Sequence, residues 1–257
     1  MTARVSVVVG VAILAAGVAV AGNPEPQPDT DRPVREVAAL MDPGHGQSYA
    51  LAFGDSYFTG SQDVTQAQTF GRLALNSLGY SVAIRGHGAT GYVTGSHIDG
   101  WPNYVSQVSD DSLSNLPTEA IKVIVLEGGI NDAIVDVDPR LVQLNANWVM
   151  RTLRARYPDA VPVALGVTPD ESGILSGKRL AITDAIARAA AAAQWRFIDA
   201  RSMITPDRAG QIIGADRLHP TPAGHRLLAA ALREMLVDVG VPAIAPPASP
   251  LDAAARR

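Results

Sequence analysis

Four short stretches of this 257-residue chain carry residue types able to do covalent chemistry. The first runs from Ser48 to Tyr57 and reads Ser-Tyr-Ala-Leu-Ala-Phe-Gly-Asp-Ser-Tyr. Its apolar half is of the kind a buried strand uses, and Gly54 ends it. Asp55 and Ser56 then fall in a turn at the strand's carboxyl end, where open α/β sheets place ligands. A serine hydroxyl on so rigid a support is a candidate nucleophile, with its own N–H beside it to face an oxyanion. Taken alone, Gly-Asp-Ser is also what an ordinary polar turn contains.

The second stretch, Arg85 to Tyr92, follows the next strand-like run and carries Gly86, Gly88 and Gly91. Glycines at this spacing allow a backbone other residues avoid and turn N–H groups toward an anion. As a dinucleotide fingerprint it is only superficial, because no helical pattern starts within it. The third stretch, Leu126 to Asp132, ends the strongest strand pattern and offers the amide of Asn131 at the same rim. In the fourth, Asp216 to His225, Pro222 suits the first position of a helix with Thr221 as its cap. Pro220 biases His219 away from helical geometry and into the preceding turn. Asp216, three residues earlier, can hold the imidazole tautomer, so that His219 takes the Ser56 proton and returns it to a leaving group. His45, His97 and His225 are expected to be capping or solvent-facing. In chain order, the four stretches supply a nucleophile, a backbone donor, a side-chain donor and an acid–base pair.

Positioning these groups requires alternating elements. Strand patterns cover Ser48–Phe53, Tyr80–Ile84, Ala120–Leu126, Val161–Leu165 and Arg196–Asp199. Helical patterns cover Thr69–Leu78, Pro139–Tyr157, Lys178–Gln194 and Pro222–Val239. Such alternation predicts βαβ units, a parallel sheet and helices on both faces. Tyr92–Pro117 has no clear period and is expected to be a functional or mobile loop.

Residues Val5–Ala21 form a continuous apolar run behind Arg4 and end in Ala19-Val20-Ala21, a small-x-small cleavage pattern. A secretory signal over residues 1–21 is expected, with an uncleaved anchor as the alternative. Either places the remainder outside the cytoplasm, secreted or at the cell envelope. Residues 22–47, with prolines at 24, 26, 28, 33 and 43, read as an extended spacer. Residues 241–257 read as a disordered tail, leaving 48–240 as the folded unit.

Apolar residues make up 47% of the chain, enough for a sizeable core. A net charge of −4 without a basic run removes the electrostatic basis for nucleic-acid binding. With no cysteine, thiolate nucleophiles, thiolate metal sites and disulfides are excluded.

These motifs resemble those of the SGNH/GDSL serine hydrolases over nearly all of residues 48–240. Phe53 to Tyr57 resembles the first block, Gly86 to Tyr92 the second, Gly129 to Asp132 the third and Asp216 to His219 the fifth. The resemblance implies a three-layer α/β/α sandwich with a five-stranded parallel sheet of flavodoxin-like type. It implies Ser56 as nucleophile, His219 as base, Asp216 as its acid partner, and an oxyanion hole from Ser56, Gly88 and Asn131. Ala83-Ile84-Arg85 departs from the polar residue usual before the second block. That leaves open whether Gly86 or Gly88 turns its N–H inward. Asp55 and Asp132 are read as pinning turns. An α/β-hydrolase would need Gly-x-Ser-x-Gly, which is absent here, and a metal hydrolase would need more than the Asp216–His219 pair.

The expected activity is ester hydrolysis through an acyl-enzyme, without cofactor or metal, by a monomer touching membranes only through residues 5–21. Its substrate would be a small-molecule, lipid or glycan ester, with Trp101 and Tyr104 lining the site and His97 in the same loop. An envelope acyltransferase, or an idle binding protein of the same fold, would share these residues.

Overall fold

The computed structural model describes residues 48–244 apart from 62, 111, 112, 114 and 176. The segments read as a signal or anchor and as a spacer lie outside the described residues. Among the described residues, no helix is long and apolar enough to cross a membrane.

Five short runs rich in apolar residues form the strands. They are β1 (Tyr49–Gly54), β2 (Ser81–Gly86), β3 (Ile121–Leu126), β4 (Val161–Leu165) and β5 (Arg196–Ile198). All pairs are parallel, in the order β2-β1-β3-β4-β5. The helices are α1 (Ser56–Thr59), α2 (Phe70–Ser77), α3 (Tyr104–Ser109), α4 (Ile130–Ile134), α5 (Pro139–Arg156), α6 (Gly177–Ala193), α7 (Ala209–Ile212) and α8 (Pro222–Asp238). Every residue of β1 is buried, as a central strand covered on both faces requires. Helix α2 packs with α8 and α5 with α6 to complete the α/β/α sandwich.

The strand order reverses at β1, which has β2 on one side and β3 on the other. Such a switch point opens a crevice at the carboxyl ends of the strands. Register makes the three ends level: Phe53 pairs with Arg85 and with Leu126, and Gly54 with Gly86. The residues that follow each strand therefore emerge at one rim. A single carboxylate ties two of these turns together. Asp132 accepts from the N–H groups of Tyr92, Val93 and Thr94 at 2.8, 3.1 and 2.9 Å, and from Thr94 Oγ1 at 2.9 Å.

Helix ends follow their local signals. Thr221 caps α8 through Gly224 N at 2.9 Å, with Pro222 in its first turn, and Asp138 caps α5 through Arg140 N in the same way. Two placements differ from the sequence reading. Residues 241–244, expected to belong to the tail, pack on the fold: Val241 is buried, and Ile244 N donates to Leu78 O at 2.8 Å; the rest of that expected tail lies outside the described residues. Tyr80 Oη reaches Pro242 O at 2.8 Å, so these residues seal the turn after α2. The loop expected over Tyr92–Pro117 contains α3, capped by Asn103, whose side chain accepts from Ser106 N at 3.1 Å.

His225, expected to be capping or solvent-facing, is buried inside α8 and caps a different helix. Its Nδ1 accepts from Phe70 N at 3.1 Å, an orphan donor of the first turn of α2 that Thr69 does not satisfy. Burial, with a smaller push from the His219 charge, lowers its pKa to about 4. The unfolded chain binds this proton below about pH 6.5, whereas the folded chain resists it. The neutral ring's stabilisation is thus complete above pH 6.5 and is lost as the pH falls toward 4, by about 3 kcal/mol. Urea unfolding across this window should show that loss in the parent chain and a flatter acid limb in His225→Gln, which keeps an acceptor but cannot take up a proton near pH 6.

Candidate active site

Ser56 opens α1, and its turn is set by Asp55, whose Oδ1 accepts from Tyr57 N at 3.0 Å. The partner loop arrives from the far end of the chain. It is pinned by main-chain bonds from Gly214 N to His219 O and from Thr221 N to Ile212 O, both 2.8 Å. Tyr57 Oη then donates to Leu218 O at 2.7 Å, locking this loop directly against the nucleophile's helix. Arg217 adopts a positive φ of 62°, turning the chain so that Asp216 and His219 face one another.

The three predicted reactive side chains meet. Ser56 Oγ lies 3.0 Å from His219 Nε2, and His219 Nδ1 lies 2.7 Å from Asp216 Oδ2. Asp216 Oδ1 also accepts from the N–H groups of Leu218 and His219, each at 3.0 Å. Partial burial pushes the Asp216 carboxyl up, but hydrogen bonds from Leu218 and His219 outweigh it and hold the group below its usual range. An ionised carboxylate only accepts, so Nδ1 carries the imidazole proton and Nε2 is free to accept from Ser56. A hydroxyl, an imidazole and a carboxylate in this order can move a proton from Oγ to Nε2 while the carboxylate steadies the imidazolium.

Two glycines bring the side-chain donor to the same place. Gly128 and Gly129 have φ values of 150° and 101°. A Cβ at Gly128 would lie 2.6 Å from the Tyr104 ring, and one at Gly129 2.9 Å from Ile182. Only glycine passes through this gap, and α4 starts immediately afterwards with Asn131 in its first turn. Asn131 Nδ2 donates to Asp55 Oδ2 at 3.1 Å and to Thr90 O at 2.8 Å. Both neighbours are acceptors, which assigns the amide orientation by chemistry.

The two candidate glycines of the second block separate cleanly. Gly86 is the last ladder residue of β2, with φ 106° and a Cβ position only 1.9 Å from Gly54 O. Gly88 lines the cleft, with its Cβ position 3.7 Å from Ser56 Cβ. Gly88 is therefore the glycine beside the nucleophile.

Above these groups lies a cleft of about 750 Å³. Its lining mixes apolar Ile98, Ile134, Val135 and Leu218 with polar His87, Thr94, Ser96 and His97. Trp101, expected to line the site, is not among the cleft-lining residues; it stacks on His87, which is, with centroids 4.7 Å apart, and His87 Nε2 contacts Asp99 Oδ2 at 3.2 Å. Tyr104 corrects the expectation made for it. As the first residue of α3 it turns inward, is 0% exposed and packs edge-on against Phe53 and Tyr92, so it forms no part of the cleft wall. Sequence reasoning missed Ile134 and Val135, although a signal existed: they lie three and four residues beyond Asn131, one helical turn away on the same face. It also missed Glu127, a carboxyl group directly after β3 that is buried against Asp55.

Residues 52–227 match the model of the GDSL-like lipase/acylhydrolase family. A GDSL lipase from Mycobacterium tuberculosis is 27% identical over 184 residues, covering 68% of this chain and 76% of the relative. Among solved structures, the lipase/acylhydrolase from Enterococcus faecalis superposes with a TM-score of 0.57 at 19% identity, covering 77% of this chain and 100% of that one. The psychrotrophic esterase EstA of a Pseudoalteromonas species gives 0.55 at 14% identity, covering 75% and 98%, so both share the fold. With the family model spanning most of the described residues, this chain belongs to the GDSL-like lipase/acylhydrolase family and is a hydrolase acting on ester bonds.

Proposed function

We propose that the protein is an exported serine esterase working through a Ser56–His219–Asp216 triad. The observation that carries this reading is the unbroken hydrogen-bonded line from Ser56 Oγ through the His219 ring to Asp216, at 3.0 and 2.7 Å, opening into the cleft. Ser56 Oγ attacks the ester carbonyl carbon as its proton passes to His219 Nε2, and the carbonyl π electrons move onto oxygen. The Ser56 and Gly88 N–H groups and Asn131 Nδ2 hold that oxyanion. Collapse expels the alkoxide, which takes the proton from His219. Water then repeats the sequence on the acyl-enzyme and releases the carboxylic acid.

The apolar and polar lining residues suggest how the substrate divides. An aliphatic acyl chain fits against Ile98, Ile134, Val135 and Leu218, and the alcohol lies toward His87, Thr94 and Ser96. Trp101, stacked behind His87, gives the alcohol side a flat aromatic backing. Export is supported by the apolar run Val5–Ala21 and its small-x-small ending.

Ser56→Ala is expected to abolish p-nitrophenyl ester hydrolysis and labelling by an alkyl phosphonate, the class of inhibitor present in the Pseudoalteromonas esterase structure. Retention of turnover by that variant would remove Ser56 as nucleophile. Asn131→Ala should lower kcat by about 100- to 1000-fold, as loss of one oxyanion donor does; an unchanged kcat would take Asn131 out of the oxyanion hole. In a p-nitrophenyl chain-length series, Ile134→Trp should cut the octanoate-to-acetate ratio of kcat/KM by about tenfold. A constant ratio would place the acyl chain elsewhere.

A further inference from the structure

Beneath the nucleophile's turn lies a second pair of acids that the triad does not use. Asp55 follows β1 and Glu127 follows β3, and these strand ends are joined by Glu127 N donating to Phe53 O at 2.9 Å. Asp55 is 0% exposed and Glu127 4%. Asp55 N approaches Glu127 Oε2 at 3.4 Å, which puts the two buried carboxyl groups in one small space. Gly54 makes room for this pair, since a Cβ there would lie 2.7 Å from Glu127 Oε2.

Two carboxylates buried this close repel one another and neither can donate, so one of them keeps its proton and can offer it to the other. The surrounding donors decide which. Asp55 receives Tyr57 N on Oδ1 at 3.0 Å and Asn131 Nδ2 on Oδ2 at 3.1 Å, whereas Glu127 receives Asp55 N at 3.4 Å. The negative charge therefore sits on Asp55 and the proton on Glu127. Burial raises both groups. Asp55 reaches about 6, held down by Tyr57, Glu127 and the His219 charge, and Glu127 is driven well above its usual range by burial and then by the Asp55 charge. The other titratable groups facing the pair are Asp132, Tyr57, Tyr92 and Tyr104.

We propose that Glu127 is a positioning residue for ester hydrolysis: as a neutral carboxylic acid it donates to Asp55 and so fixes the carboxylate that sets Asn131 Nδ2 beside Ser56. The proposal rests on the reading of Ser56 as nucleophile and Asn131 as oxyanion donor. Glutamine at 127 supplies an N–H in place of the acid proton. Leucine, of similar size, leaves Asp55 a buried charge short of one donor and free to pull Asn131 out of line.

The test uses the full chain and p-nitrophenyl butyrate, with Ser56→Ala run in parallel. Glu127→Leu should lose about 100-fold in kcat with KM within about threefold, the signature of misplaced groups. Glu127→Gln should keep kcat within about threefold of the parent. Infrared spectra of the parent at neutral pH should contain the C=O stretch of a buried protonated carboxyl group, and Glu127→Gln should lack it. A Glu127→Leu variant with undiminished kcat, a loss confined to KM, a Gln variant as impaired as the Leu variant, or a parent spectrum without that band each overturns the proposal. If the Leu variant does not fold, the Gln variant and the spectra decide. An active Ser56→Ala would instead overturn the nucleophile reading, while the infrared band still reports on the acid pair.

Discussion

The hydrogen bond from Ser56 Oγ to His219 Nε2 joins residues 163 positions apart, and the rest of the molecule is arranged to make that distance short. Neither partner reaches the other through its own local structure. Ser56 is fixed by the end of a central strand and a one-turn helix. His219 sits in a turn whose place is set by α8 packing on α2. Three contacts between the ends of the chain enforce the approach: Tyr57 Oη to Leu218 O, Phe70 N to His225 Nδ1, and the Tyr57 and His219 rings at 6.3 Å. Because α2 and α8 pack together, the hydroxyl and the imidazole are held within reach before any substrate arrives.

That preorganisation places polar groups where the sheet would favour apolar ones. Asp55, Glu127, Asp132 and His225 are all buried, and an unpaired buried polar group is costly. Each is satisfied in its own way. Asp132 gathers the N–H groups of the second-block loop, His225 accepts an orphan helix donor as a neutral ring, Asp55 accepts from Tyr57 N and Asn131 Nδ2, and Glu127 accepts from Asp55 N. The cost of burial is offset by hydrogen bonds that also tie three separate rim segments together. His225 also makes the fold sensitive to acid, because only its neutral ring can accept from Phe70 N.

The elements were legible because their signals are local. β4 runs over Val161–Leu165 as its apolar pattern predicts, and α5 and α8 begin at Pro139 and Pro222, where a proline and a preceding cap mark a helix start. The chemical identity of Ser56, Asn131, Asp216 and His219 was equally readable, since each occupies a turn adjoining a recognisable strand or helix. The short helices α1, α3, α4 and α7 were not, as four to six residues carry too little periodicity to register.

By itself the sequence determined which segments become strands and long helices and which residues carry reactive groups, because propensity, capping and apolar period act over a few neighbouring residues. The tertiary structure decided the rest: that Tyr104 turns into the core, that Gly88 and not Gly86 stands beside Ser56, that His225 caps a helix far away in the chain, and that Glu127 shares a buried contact with Asp55. Each of these depends on which distant segment packs against the residue in question. That is settled by the parallel register of β2, β1 and β3 and by the closure of α8 onto α2, neither of which leaves a mark in local sequence.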